Sequence, residues 1–232
     1  MTPPIGHLVL IIGSLLLLGF LSWATYQSGR LLQENPPDIN LLLAPSENAA
    51  RMVVLGICAG LGLASGLDLD RLGWVMPDPL GSLARGAVLG AAVQIPLSLL
   101  TRLAINLLGK DVYSPVVVRM ILPKNRREAV LVALAFVPAV LMEELLFRSL
   151  LVGGFSVYFN PWILGILWSM VFGAMHLPQG SFGMIATSII GFVLAGAFIL
   201  SGTILVPLAA HYVVNMLQLL DAHRHREWLA RY

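Results

Sequence analysis

The sequence predicts an all-α fold, a polytopic bundle of about seven transmembrane helices. Of its 232 residues, 58% are hydrophobic and only 11% are charged, and the mean hydropathy of +0.85 is far from the balance of a soluble domain. The apolar residues fall into runs long enough to cross a bilayer. No polar stretch is large enough to fold as a separate soluble domain, so we predict a single structural domain.

Seven apolar runs account for this bundle. Pro36 and Pro37 stop helix propagation after the first run, and Gly153-Gly154 ends the fourth. Two connections contain short apolar stretches, which predict a short surface helix at residues 40–43 and a short interfacial segment in the sequence VVVRMIL. The runs cover residues 5–25, 49–67, 83–108, 129–152, 158–177, 182–200 and 204–220.

Small and polar residues within the second and third runs predict their packing. The spacing Gly56-x-x-x-Gly60 in the second run allows another helix to approach closely in lipid. In the third run, we expect Pro96 to kink the helix. Arg102 lies near the end of that run, where its long side chain is expected to reach the membrane interface.

The distribution of Lys and Arg predicts the orientation. With the N-terminus outside, the inner connections and the tail hold ten Lys and Arg residues, whereas the outer connections hold only Arg71 and Arg85. Because inner connections of membrane proteins are enriched in these residues, we expect the N-terminus outside and the C-terminus inside. This orientation depends on the number of helices, because the connections around the last three runs carry no Lys or Arg.

The fourth run is unusual because it contains Glu143, Glu144 and Arg148. Each charge near the centre of a spanning helix costs about 3 kcal/mol, so neighbouring helices or water must shelter these groups. Glu144 and Arg148 are four residues apart, in the order that favours an ion pair on one face. Glu143 points about 100° away, and we expect it to face a different neighbour across the bundle.

Polar groups recur in the fifth and seventh runs. His176 ends the sequence FGAMH, one turn after Phe172, and His211 shares a helix face with Asn215. Because lipid offers no hydrogen bonds, we expect His176, His211 and Asn215 to converge on Glu143. For His176 to reach it, either the fifth helix extends past Pro178 or the cavity opens toward the inner side, and we favour the second.

Two chemistries fit these residues. In one, Glu143 and His176 position and deprotonate a water that attacks a peptide carbonyl, while His211 and Asn215 donate hydrogen bonds to the oxyanion. In the other, a zinc ion bound by Glu143, His176 and His211 activates the water. The H-E-x-x-H motif of many zinc proteases is absent from the sequence. We favour the chemistry that requires no cofactor and keep zinc as the alternative.

Three ordered motifs resemble those of the CAAX prenyl protease and bacteriocin-processing family, also called the Abi or CPBP family of intramembrane endopeptidases. They are E-E-x-x-x-R at Glu143, Glu144 and Arg148, F-x-x-x-H at Phe172 and His176, and H-x-x-x-N at His211 and Asn215. Each motif is short, but their order on successive helices is fairly specific. The resemblance covers about residues 127–220, and nothing in the first three runs matches the family.

The resemblance implies an all-helical membrane endopeptidase whose catalytic cavity lies within the bilayer. By motif position it implies Glu143 as the base, His176 as its partner, and His211 with Asn215 around the water or the oxyanion. Members of the family have been described both as metalloproteases and as glutamate-dependent enzymes, so the resemblance leaves the role of a metal open. It also leaves open whether the substrate is prenylated.

These inferences define the expected organisation and function. We expect variable N-terminal helices (1–125), a catalytic four-helix core (126–221) and a cytoplasmic tail (222–232), within one structural domain in a plasma membrane of prokaryotic type. The expected partners are the lipid bilayer and a membrane-tethered peptide or protein substrate. Nucleic acid is not expected, because no patch interleaves basic and aromatic residues.

Two other functions would use the same polar residues. A non-catalytic membrane adaptor or bacteriocin-immunity protein would retain the polar cluster only to hold its fold. A transporter or proton channel would use the buried Glu and His side chains as a relay and would need polar residues that continue to the other membrane face. The outer ends of the last three runs offer few such residues.

Overall fold

The structure is a computed structural model that describes residues 4–34 and 39–226, and every regular element within these ranges is helical. Six helices are long and apolar enough to cross a membrane, and a seventh apolar helix is shorter. The predicted all-α bundle of about seven spanning helices is therefore confirmed. The helices are α1 (Ile5–Glu34), α2 (Pro45–Ala64), α3 (Pro79–Leu108), α4 (Val116–Ile121), α5 (Arg126–Glu144), α6 (Pro161–Ala174), α7 (Gly180–Ser201) and α8 (Leu205–Arg224).

Polar caps fix where three of the helices begin. The side chains of Asp78, Asn125 and Asn160 each accept a hydrogen bond from a main-chain N–H in the first turn of α3, α5 and α6, respectively. These bonds satisfy donors that a helix start otherwise leaves unpaired. Pro79 and Pro161 occupy the first helical positions of α3 and α6, where proline costs no hydrogen bond.

The boundaries of several predicted runs are corrected. Helix α1 continues to Glu34, into the loop expected from residue 27, and α8 continues to Arg224, into the expected tail. Helix α6 is shorter than the run 158–177, because Asn160 caps its start and a 3₁₀ turn (Leu177–Gln179) follows its end. The expected short surface helix is a 3₁₀ turn (Leu41–Leu43), and the expected interfacial segment VVVRMIL contains α4.

The fourth predicted helix does not remain α-helical. After Glu144 it continues as a π-helix (Leu145–Gly153), in which every residue from Leu146 onward is buried. Such segments are rare, and they occur frequently at functional sites. The change of helix type falls between Glu144 and Arg148, so the charged cluster lies where the backbone departs from α geometry.

Small residues bring α3 and α8 into close contact. A row of residues spaced by four is buried on α3: Ser82, Gly86, Gly90 and Gln94. A Cβ atom added at Gly90 would lie 2.9 Å from the Cβ atom of Val213 and 3.0 Å from the Cα atom of Ala210. The absence of side chains at Gly86 and Gly90 therefore permits this contact.

No helix of the described chain uses the spacing Gly56-x-x-x-Gly60 for a close contact. Gly56 and Gly60 are exposed on α2, and a Cβ atom at either position would meet nothing within 4 Å in the described chain. Arg102 is partly exposed near the end of α3, and it also forms an ion pair with Asp221 near the end of α8. The close α3–α8 contact brings these two oppositely charged side chains together.

The two glycine pairs provide a matched test. We predict that Gly90→Ala lowers the thermal stability of the detergent-solubilised protein, because the added methyl group meets the α8 backbone at Ala210. Gly60→Ala should leave the stability unchanged or raise it, by up to about 1 kcal/mol, because alanine favours the helix and nothing opposes the methyl group. Equal unfolding temperatures for the two variants would contradict this packing.

Candidate active site

Glu144 and Arg148 form a buried ion pair at the junction of α5 and the π-helix. Both side chains are almost completely inaccessible, and Arg148 Nη1 lies 3.2 Å from Glu144 Oε1. Arg148 Nη2 also donates a hydrogen bond to the carbonyl oxygen of Gly191 on α7, at 3.1 Å. The pair predicted from the four-residue spacing is thus present, and it connects the π-helix to α7.

His211 on α8 uses the same carboxylate. Its Nδ1 lies 2.7 Å from Glu144 Oε1, and because an ionised carboxylate can only accept, Nδ1 is the donor. In the neutral imidazole, Nε2 is then the acceptor. A hydrogen bond of this kind fixes both the tautomer and the orientation of the ring.

Glu143 lies on the other side of the His211 ring. Its Oε2 atom is 3.6 Å from His211 Nε2, and 30% of its side chain is exposed. Glu143 thus faces a neighbour on another helix, as expected, and this neighbour is also hydrogen-bonded to Glu144. The two carboxylates leave the helix in different directions, but His211 lies between them and presents one ring nitrogen to each.

His176 lies in the connection between α6 and α7. Its Nδ1 donates to the carbonyl oxygen of Phe172, at 2.7 Å, so Nε2 is again the acceptor. Desolvation at this position lowers the pKa of His176 and favours the neutral ring, although the negative charge of Glu143 opposes this shift. Helix α6 ends before Pro178. The expected alternative in which the fifth helix extends past Pro178 is therefore excluded.

The aromatic ring of Phe172 packs against two imidazoles and one guanidinium group of the site, those of His176, His211 and Arg148. Its centroid lies 4.7 Å from that of His176 and 5.9 Å from that of His211, and the guanidinium carbon of Arg148 lies 4.9 Å away. Space for the ring comes from Gly191, where a Cβ atom would approach Phe172 Cδ1 to 3.2 Å. Phe172 therefore fixes the relative positions of the two imidazoles.

His176, His211 and Asn215 line one cavity of about 280 Å³. It extends between α3 and α8 toward the carboxyl-terminal ends of both helices, where Arg102 and Asp221 lie. Glu143 is not among the residues that line the cavity, but its Oε2 atom lies 3.6 Å from Nε2 of His211, which does line it. The structure thus brings the four predicted catalytic residues together around one imidazole, with Asn215 one turn along α8.

Sequence reasoning missed the part of α3 that lines this cavity. Gln94, Ser98, Arg102 and Asn106 all line it, and they are spaced by four residues along an otherwise apolar helix. Residues at this spacing share a helix face. The pattern was therefore visible in the sequence, but only the position of α8 shows that it faces the histidines.

The residues proposed for zinc do not form a metal site in this arrangement. Both imidazoles present an Nε2 lone pair, as metal-binding histidines do. However, within residues 4–34 and 39–226 no three His, Cys, Asp or Glu side chains are grouped so that they could hold a metal ion. We therefore derive no step through zinc at Glu143, His176 and His211, and the metal dependence of the protein stays a question for measurement.

Comparison with known proteins concerns the part of the chain that holds this site. Residues 125–217 match the family model of the Rce1-like proteins, described as Type II CAAX prenyl endopeptidase Rce1-like. The predicted family resemblance is confirmed. The match contains Glu143, His176, His211 and Asn215, and it leaves α1, α2 and α3 outside. No curated protein and no solved structure matches the chain.

The Rce1-like match covers less than half of the chain, and together with the fold it supports a coarse description of the protein. At family level the match supports a CAAX-protease-like intramembrane peptidase. With six apolar helices of spanning length, the protein is an integral, multi-pass membrane protein. The predicted orientation of its termini stays a prediction.

The two adjacent glutamates should differ sharply in their effect on stability. We predict that Glu144→Gln destabilises the protein by about 3–5 kcal/mol, because Arg148 is left as an uncompensated buried charge. Glu143→Gln should cost less than about 1 kcal/mol, because its side chain is partly exposed and lies outside this ion pair. Thermal unfolding in detergent measures both changes.

Two further variants control this comparison. Glu47→Gln removes an exposed partner of Arg51 at 3.8 Å on α2 and should change the stability by at most about 1 kcal/mol. Glu144→Gln combined with Arg148→Met should recover part of the loss, because neither charge then remains buried alone. Equal losses for Glu143→Gln and Glu144→Gln would contradict the assignment of the buried pair.

Proposed function

We propose that this protein is an intramembrane endopeptidase that hydrolyses peptide bonds of membrane-associated proteins or peptides. The observation that carries the proposal is the pair of facing acceptors at the centre of the site, Glu143 Oε2 and His211 Nε2, which lie 3.6 Å apart. This distance is too long for a hydrogen bond between the two atoms. Two acceptors that face each other are satisfied by a molecule that donates twice, and water is the smallest such molecule.

A water between these atoms would be held as a nucleophile. Two acceptors 3.6 Å apart can each lie about 2.8 Å from one water oxygen, within ordinary hydrogen-bond distance. Both protons of the water would then point at acceptors, which leaves its oxygen lone pairs free to attack a carbonyl carbon. A base within hydrogen-bond reach of the proton that it removes is the geometric requirement for general-base catalysis.

The proposed reaction needs only a water and a peptide bond. As the water oxygen bonds to the carbonyl carbon, Glu143 takes one proton, and the carbonyl oxygen becomes an oxyanion. Asn215 lines the same cavity as His211, and its amide group can donate to that oxyanion. Collapse of the intermediate breaks the C–N bond, and the proton passes from Glu143 to the leaving nitrogen. The products are a carboxylic acid and an amine, and at neutral pH the proton of the acid passes to the amine.

We propose a role for His211 that differs from the one predicted from the sequence. Because Nδ1 donates to Glu144, neutral His211 accepts at Nε2 and cannot also donate there to an oxyanion. It can donate only after it has taken up a proton, and the adjacent Glu144 carboxylate would stabilise the resulting imidazolium. We therefore assign His211 to holding the water, and Asn215 to the oxyanion. His176 presents its Nε2 acceptor as a further proton partner in the same cavity.

The shape of the cavity favours a substrate that enters from one end of the bundle. The cavity extends to the ends of α3 and α8, next to the connection that contains α4. By the distribution of Lys and Arg, this connection is the most basic one and is assigned to the inner side. We propose that a membrane-tethered peptide reaches the site from the cytoplasm of a cell of prokaryotic type, whether or not the peptide is prenylated.

Cleavage of peptides by the reconstituted protein tests this function. With a library of membrane-tethered peptides in proteoliposomes, we predict that Glu143→Gln lowers kcat at least about 10²–10⁴-fold, because the general base is lost. Asn215→Ala should lower kcat about 10²–10³-fold through loss of an oxyanion donor. The control Asp68→Asn, at an exposed carboxylate in the connection between α2 and α3 that does not line the cavity, should cleave at the rate of the unchanged protein.

The same assay separates the remaining alternatives. Protein shown by elemental analysis to be metal-free after chelation should retain its activity, and loss of activity that zinc restores would favour the metal-dependent mechanism. A protein that cleaves no peptide and keeps its biological activity with Glu143→Gln would instead be the non-catalytic adaptor or immunity protein. Cleavage that survives both Glu143→Gln and His211→Ala would refute the assigned mechanism.

A further inference from the structure

A second cavity, of about 300 Å³, lies between α1 and the end of α6. None of the described residues that line it also lines the cavity at His211. One wall is formed by the second half of α1, and the other by the end of α6 and the connection that follows it. Tyr26, Arg30 and Leu177 line this cavity and are exposed, so it is open to the surroundings of the bundle. We call it the α1–α6 groove.

The wall formed by α1 presents hydrogen-bond donors. Ser22, Tyr26 and Arg30 are spaced by four residues and share one face of the helix, and Thr25 lies beside them. Each of these four side chains can donate a hydrogen bond, and only that of Arg30 is charged. None of the four has a hydrogen bond or an ion pair within the part of the chain that the structure describes. The groove thus offers one positive charge and three hydroxyl groups to a ligand.

The opposite wall of the groove is apolar. It is lined by Val171, Met175, Leu177 and Pro178, at the end of α6 and in the connection to α7. Helix α1 packs directly on this connection, because a Cβ atom added at Gly29 would lie 3.0 Å from Pro178 Cγ. No Asp or Glu among the described residues lines the groove. The groove therefore combines a positively charged wall with an apolar one.

The groove lies near the inner membrane surface in the predicted orientation. By the distribution of Lys and Arg, α1 starts outside, and Arg30 is near its inner end. The rise from Ser22 to Arg30 is about 12 Å, because an α-helix rises about 1.5 Å per residue. Arg30 is thus placed toward the lipid head groups, and Ser22 lies about two turns deeper in the membrane. The inner leaflet is the one in which anionic lipids are concentrated.

We propose that the α1–α6 groove binds an anionic phospholipid of the inner leaflet, with its phosphate on Arg30 and an acyl chain along the apolar wall. A phosphate diester carries one negative charge and accepts hydrogen bonds, so it complements a guanidinium and hydroxyl groups. Basic pockets between helices on the cytoplasmic side of membrane proteins bind lipid head groups of this kind. Because no described carboxylate lines the groove, the ammonium group of a zwitterionic phospholipid would find no partner there.

A lipid in the groove would contact the connection that carries His176. Met175 and Leu177 line the groove, whereas His176, between them in the sequence, lines the other cavity. This connection therefore separates the lipid from the candidate active site. The bound lipid would support the segment that holds His176 in place, a role that rests on the proposed endopeptidase function, whereas the binding of the lipid does not.

Lipid binding to the full chain in a neutral detergent tests the site without any measurement of cleavage. Native mass spectrometry gives the dissociation constants of phosphatidylglycerol, which is anionic, and of phosphatidylcholine, which is zwitterionic. We predict that phosphatidylglycerol binds about 10-fold more tightly, as expected for one hydrogen-bonded charge pair. Arg30→Gln should weaken the binding of phosphatidylglycerol about 10-fold and remove the preference, because the only charge of the polar wall is lost.

Two further variants make the result specific to the groove. Arg127→Gln removes an exposed arginine at the start of α5, which is assigned to the same side of the membrane and does not line the groove. It should change the binding of phosphatidylglycerol less than about 2-fold. Ala174→Phe places a ring in the groove and should weaken the binding of both lipids at least about 3-fold. Thermal unfolding establishes that each variant is folded, and Ala174→Leu replaces Ala174→Phe if it is not.

Several results would overturn the proposal. Equal affinities for the two lipids, or equal effects of Arg30→Gln and Arg127→Gln, would show that the groove does not select an anionic phospholipid. Displacement of phosphatidylglycerol by inorganic phosphate, at concentrations near the dissociation constant of the lipid, would show that the site takes free phosphate. Displacement by a membrane-tethered peptide bound to the Glu143→Gln protein would assign the groove to the tether of the substrate. Because binding is measured without cleavage, failure of the lipid site and failure of the proposed function are distinguishable.

Discussion

The arrangement of the site depends on one buried carboxylate, that of Glu144. It pairs with Arg148 on the following π-helical segment and accepts a hydrogen bond from His211 on α8. A lone charge buried in a membrane protein is strongly unfavourable, so Glu144, Arg148 and their partners must remain together if the bundle is to form. Because Arg148 also donates to Gly191 on α7, this requirement joins three parts of the chain at one point.

This constraint separates the two glutamates by role. Glu144 is enclosed by its partners and orients the imidazole, whereas Glu143 is partly exposed and faces the nitrogen that His211 leaves as an acceptor. Phe172 packs against both imidazoles and against Arg148, and this packing holds the three groups in fixed relative positions. The stability of the fold and the proposed chemistry thus use adjacent residues, but they use different carboxylates.

The sequence was sufficient for the features that depend on local spacing. The Glu144–Arg148 pair, for example, follows from a four-residue separation. The three motifs also indicated that His176, His211 and Asn215 meet, because polar groups in lipid need partners.

The remaining features depend on how the helices are placed in space. Gly56-x-x-x-Gly60 and Gly86-x-x-x-Gly90 have the same spacing, yet only the second pair contacts another helix. Likewise, the contact of both glutamates with His211 depends on the position of α8 beside α5, and local spacing does not determine it. The π-helix after Glu144 has no sequence signal comparable to a cap or a proline.

The central claim is that His211 holds the catalytic water as an acceptor at Nε2 because Glu144 binds its Nδ1–H. Solid-state ¹⁵N NMR of the histidine-labelled protein in lipid measures this directly, since it distinguishes protonated from unprotonated imidazole nitrogens. The signals of His211 are assigned as those lost in His211→Ala. We predict a protonated Nδ1 and an unprotonated Nε2 in His211 at neutral pH. A protonated Nε2 would contradict it.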